Sequence, residues 1–128
     1  MARVFHRRRT MDLNEYSVAM LGLVPDAYAE THRVHAAMGI SGEAGEIIDH
    51  IKKVTFNNKT LDRGHVTEEL GDTLFYMNLM VHALGITWQQ VIDTNVAKLS
   101  VRYPGLVYSH ERANNRSTEA EAEAMAAV

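Results

Sequence analysis

The sequence predicts an all-α protein of the four-helix-bundle type, oligomeric in its working state, and three observations predict the helices. Apolar residues recur at steps of three and four from Leu70 to Leu84, which is a helical period. No stretch alternates apolar and polar residues cleanly between turn signals, as a half-buried strand would. The two prolines, Pro25 and Pro104, stand where helical patterns stop, as expected of a ring that removes a backbone donor.

Four main helices follow in order. The first runs from Asp12, a suitable N-cap, to Leu23 and ends before Pro25. The second begins at Ala27 or Thr31 and reaches Val54, with Gly39, Gly42 and Gly45 as weak points. Residues Thr55 to Gly64 read as a turn-rich loop. The third spans Arg63 to Leu84, where Leu70, Leu74, Met77, Val81 and Leu84 predict a continuous buried stripe. Gly85 ends it. Thr87 and Gln90 form a capping-box pattern for a fourth helix reaching Val101. Beyond it, Ala113 to Val128 is rich in Ala and Glu: either Thr118 and Glu121 cap a short helix, or the tail frays. The expected organisation is a basic extension over 1–10, a helical domain over 11–104, and an extension over 105–128 that is partly helical or disordered.

Composition narrows the function. The chain has 128 residues, about one domain. Its 46% hydrophobic and 23% charged residues argue against wholesale disorder. No apolar run approaches the roughly 20 residues that span a bilayer, so no membrane role is expected. Arg3, Arg7, Arg8 and Arg9 precede Asp12, Asn14 and Glu15 rather than an apolar run, which argues against a signal peptide. The lack of cysteine rules out disulfides and thiolate metal sites and suits the cytoplasm. A net charge of −3 gives no footprint for a nucleic-acid polymer.

The chemistry lies in two short patterns, Glu43-Ala44-Gly45-Glu46 and Glu69-Leu70-Gly71-Asp72. Carboxylates three residues apart share one helix face and repel. Each pair flanks apolar residues: Ile40, Ile47, Ile51 and Val54 for the first, Leu70, Leu74 and Met77 for the second. Four acids bordering two core faces require a cation, and oxygen-only ligands favour Mg²⁺, with Mn²⁺ as the alternative. A di-iron bundle would want Glu-x-x-His, and neither motif ends in His. His50 projects between Glu43 and Glu46 and is placed to line the site. Gly42, Gly45 and Gly71, inside the motifs, suggest close approach of a neighbouring helix or ligand.

Cations are placed to hold phosphate. Lys53 lies seven residues beyond Glu46 and projects to nearly the same face. On the fourth helix Trp88, Val91, Asn95, Lys98 and Arg102 form one stripe. Its apolar start turns Asn95, Lys98 and Arg102 toward a cleft, unless Lys98 and Arg102 snorkel to water at the helix end. Trp88, Tyr76 and Phe75 are candidates for stacking on a base or for the core.

GISGEAGEIIDHIKK (39–53), EELGDTLFYMN (68–78) and NVAKLSVRYP (95–104) together resemble the MazG-type nucleotide pyrophosphohydrolases. The likeness covers about Asn14 to Arg102. It implies a helical bundle that binds Mg²⁺ through Glu43, Glu46, Glu69 and Asp72, assembles as a dimer or tetramer, and splits nucleoside triphosphates into monophosphate and pyrophosphate. It further implies that Lys53, Asn78, Asn95, Lys98 and Arg102 line the nucleotide cleft, although Asn78 projects away from the acids. Glu46 is then the candidate for activating water and Lys53 for stabilising phosphoryl charge. A dUTP-type or phosphoribosyl-ATP pyrophosphohydrolase shares this chemistry. A non-catalytic helical interaction protein would retain only the bundle.

Overall fold

The computed structural model describes residues 10–128, and the arginine cluster at positions 3 and 7–9 lies outside them. Among the described residues there are six α-helices, two 3-10 segments and no strand. The chain divides into two compact units at Leu84/Gly85, so the four main helices fall three in the first and one in the second.

In the first unit, α1 (Leu13–Leu21) opens with a reciprocal cap. The Glu15 amide donates to Asp12 Oδ1 at 2.8 Å, and the Asp12 amide donates to Glu15 Oε2 at 3.1 Å. Helix α2 (His32–Phe56) follows the 3-10 segment Asp26–Thr31. Helix α3 (Arg63–Ala83) starts at the N-cap Asp62, which accepts from the His65 amide. The second helix thus extends two residues past the expected Val54, because the turn signals begin only at Asn57.

Helices α2 and α3 form an antiparallel hairpin, since their facing residues ascend on one helix while they descend on the other. Gly39 meets Tyr76, Glu43 meets Glu69 and Asp72, and His50 meets His65. Gly39 makes the approach possible: a Cβ there would stand 2.2 Å from the Tyr76 ring. Gly42, Gly45 and Gly71, expected to mark the close approach, have nothing within 4 Å of a built Cβ. Helix α1 is tied down by Asn78, which donates from Nδ2 to the Ser17 carbonyl at 3.2 Å.

The expected buried stripe on α3 is corrected by the structure. Leu70, Met77 and Leu84 are 56%, 38% and 52% exposed, and the buried residues are Glu69, Asn78, Leu79 and Val81. Periodicity identifies an apolar face but not what covers it, and within this chain α1 and α2 cover a neighbouring face.

In the second unit, α4 (Trp88–Arg102) begins with the expected Thr87/Gln90 capping box. The preceding Gly85 has φ +66°, the left-handed stop expected after α3. The 3-10 turn Pro104–Leu106 and α5 (His110–Asn114) lead to α6 (Thr118–Ala126), which packs on α4. The tail is therefore helical over these residues, but its N-cap is Ser117, not Thr118. Ser117 Oγ accepts from the Ala120 amide, and Glu121 is used elsewhere.

Candidate metal centre

The α2–α3 hairpin brings three of the four expected acids together. One carboxylate oxygen each of Glu43, Glu69 and Asp72 lies within 4.8 Å of the others. Glu69 is only 8% exposed, Glu43 is half-buried and Asp72 is exposed. Glu46 stays outside the cluster and is exposed. The reason is geometric: three residues on a helix turn through about 300°, so partners in an E-x-x-E pair differ by about 60° in direction. Glu43 points at α3, and Glu46 points past it.

The crowding of acids raises the proton affinity of Glu43. Glu43 is pushed above the usual carboxylate range, first by its hydrogen bond with Glu69, then by burial and by the charges of Asp72, Glu69 and Glu46. The donors are all oxygens, as a hard divalent cation requires. The residues present fit Mg²⁺.

Neighbours from three helices surround the acids. His65 Nδ1 lies 3.4 Å from Glu69 Oε1, one helical turn before it. The His50 ring sits edge-on to His65 at 5.1 Å, and its Nε2 accepts from the Asp62 amide at 3.0 Å. His50 therefore secures the start of α3 beneath the cluster. Tyr16, from α1, has its hydroxyl pushed to higher pKa by burial and then by the charge of Asp72. Neither His65 nor Tyr16 was singled out for the site by sequence. The His65/Glu69 spacing of four was visible there, whereas nothing local links Tyr16 to Asp72.

Of the expected phosphate-binding residues, Lys53 and Asn78 belong to the first unit and Asn95, Lys98 and Arg102 to the second. Lys53 pairs with Asp49 at 2.5 Å, one turn back on α2, and Glu46 adds to the pull on its proton. Asn78 is 1% exposed and donates to the Ser17 carbonyl, so its amide serves the α1–α3 contact. In the second unit, Asn95 and Lys98 line a cavity of about 510 Å³. Arg102 neither snorkels to water nor stands open to a ligand, because Glu121 holds it. Trp88 is buried, and Tyr76 packs on Gly39 with its ring near His35.

The model of the MazG nucleotide pyrophosphohydrolase domain matches residues 33–107, more than half of the chain. This chain belongs to the MazG family. The match takes in the acid cluster and all of α4, and it stops short of α5 and α6. Among curated relatives, the Gene 37 protein of Mycobacterium phage L5 is 31% identical over 72 residues, 53% of this MazG-family chain. The chain spans 63% of that relative's length. No solved structure matches. No helix among the described residues is long and apolar enough to cross a membrane.

Proposed function

We propose that this MazG-family chain hydrolyses nucleoside triphosphates, canonical or modified, to monophosphate and pyrophosphate with Mg²⁺. The observation that carries the reading is the convergence of Glu43, Glu69 and Asp72 on one point of the α2–α3 hairpin. These three acids would hold the ion, with Glu46 as a fourth ligand or as the base beside it. When bound, Mg²⁺ supplies charge neutralisation at the phosphate oxygens.

The chain's own groups do the rest. Glu46 is exposed and outside the cluster, which suits a carboxylate that orients the attacking water and accepts its proton. Lys53 offers a positive charge at the same end of α2 and stabilises charge on the phosphoryl oxygens once it leaves Asp49. Asn95 and Lys98 provide an amide and a cation for the nucleotide, and Arg102 a guanidinium if it is freed. The enzyme acts in the cytoplasm on a free nucleotide, and it works as a dimer or tetramer. Exposed apolar residues on α2 and α3, Val34, Met38, Ile48, Leu70 and Met77 among them, support self-association.

A panel of nucleoside triphosphates, with dUTP and phosphoribosyl-ATP included, tests the reading by pyrophosphate release with and without Mg²⁺. Mg²⁺-dependent release that disappears in Glu69→Gln is the expected result. Turnover of one nucleotide alone would narrow the assignment to a metabolic relative. No turnover and no Mg²⁺ binding by calorimetry would leave a non-catalytic helical protein.

A further inference from the structure

Two arginines of the second unit converge on a single carboxylate. Arg102, the last residue of α4, donates from Nε to Glu121 Oε1 at 2.9 Å and from Nη2 to Oε2 at 3.1 Å. Arg116, just before α6, donates from Nη2 to Oε2 at 2.8 Å and from Nε to Oε1 at 3.4 Å. Glu121 is 2% exposed. One buried oxyanion thus sits between two guanidinium forks, and the three groups together carry one net positive charge. Planar forks of this kind match phosphate as well as carboxylate, and phosphate brings more charge and more acceptor oxygens.

We propose that Arg102 and Arg116 form an anion site for a polyphosphate group, and that α6 is a displaceable internal competitor filling it with Glu121. The proposal rests on the reading above insofar as the polyphosphate is the substrate's.

Three features of α6 support displacement. Its anchorage is concentrated, because an Ala/Glu-rich helix of nine residues offers few large apolar side chains. It lies beyond the family match while Arg102 lies within it, so the competitor is an addition to a shared helix. It also shares a cavity with the polar stripe of α4: Met125 of α6, and Val128 just beyond it, line the same cavity as Gln90, Thr94, Asn95 and Lys98. Moving α6 would free Arg102 and open Asn95 and Lys98 in one step. The tethered carboxylate acts at an effective concentration on the order of millimolar, so a ligand with several negative charges can compete where a monoanion cannot.

Inorganic tripolyphosphate, without divalent cation, is the probe. It is titrated calorimetrically into the full chain, into Glu121→Ala, and into Glu121→Ala combined with Arg102→Ala. Glu121→Ala is expected to bind about ten-fold tighter or more than wild type, and the double variant to lose that gain. In the wild-type chain, saturating tripolyphosphate should speed amide hydrogen exchange across residues 118–126. Should Glu121→Ala fail to fold, Glu121→Gln keeps the side-chain shape and carries the same comparison. Unchanged affinity in the variant, or α6 amides that stay protected under saturating ligand, overturns the proposal. Loss of nucleotide hydrolysis as an assignment is a separate outcome: a chain that hydrolyses no nucleotide, yet opens α6 to tripolyphosphate, keeps this site and loses that reading.

Discussion

Glu43 carries much of the electrostatic strain of the acid cluster before a cation arrives. Its folded pKa is raised, first by the hydrogen bond with Glu69, so its contribution to stability is full at low pH and lost as pH rises through the folded value. Above that value the cation-free protein therefore bears unrelieved repulsion. Glu43→Gln should hold or raise the melting temperature without Mg²⁺ and abolish the rise that Mg²⁺ produces in wild type. A thermal melt with and without Mg²⁺ reads both, and an undiminished Mg²⁺ shift in the variant counts against the centre. Glycines give a second contrast. Gly39→Ala places a methyl on the Tyr76 ring and should cost about 1–3 kcal/mol by overpacking. Gly42→Ala meets open space and should gain up to about 1 kcal/mol from helix propensity. Denaturant melts of the two variants should move in opposite directions. The sequence made the motif glycines conspicuous, yet the one that packing requires lies just before them. Motif spacing shows which residues share a face, and only the partner helix shows which of them is touched.

Among the elements, α6 shows how far local signals reach. Caps made the helix starts legible: Asp12 and the Thr87/Gln90 box stand where they were expected, because capping is a contact between residues three apart. The Ala/Glu tail was legible as a possible helix on propensity alone. What holds it in place was not, since the Arg102–Glu121 pair spans nineteen residues and leaves no periodic trace. Glu121 is lowered to about 2, first by the Arg102 hydrogen bonds and then by those of Arg116. A depressed acid contributes stability above its unfolded value near 4.5, and that contribution is lost as pH falls toward about 2. The amide protection of residues 118–126 should therefore erode across that window. Glu121→Gln should remove this pH dependence. Hydrogen exchange at several acidic pH values, corrected for intrinsic rates, checks it, and an equally steep loss in the variant would assign the acid sensitivity to other groups.

At the scale of the whole molecule, few hydrophobic side chains are buried among the described residues of either unit. The buried hydrophobic residues among those described are Ala36, Leu79 and Val81 in the first unit and Trp88 in the second. Meanwhile Leu70, Met77 and Leu84 lie exposed along α3 at heptad spacing, and Val34, Met38 and Ile48 lie exposed on α2. Fully burying one such side chain from full exposure is worth about 1.5–3 kcal/mol, and since the three on α3 are already about half covered, hiding the rest of them is worth roughly 2–4 kcal/mol per chain and about twice that for a pair. That is comparable with the lower estimates of what association costs, roughly 4–15 kcal/mol, and a two-fold interface uses the same face twice. The periodicity that foretold a buried stripe was thus informative about an apolar face, and the proposed self-association would give that face its cover. Wild type should sediment as a dimer or larger at micromolar concentration. Leu70→Lys combined with Met77→Lys should shift it toward monomer and lower the melting temperature, because two charges would then enter the apolar contact. Both positions are solvent-exposed in the single chain, so helical content should survive in the dissociated variant at low temperature. A folded, active wild-type monomer at that concentration, or a double variant that sediments like wild type, would show that this face is not the interface.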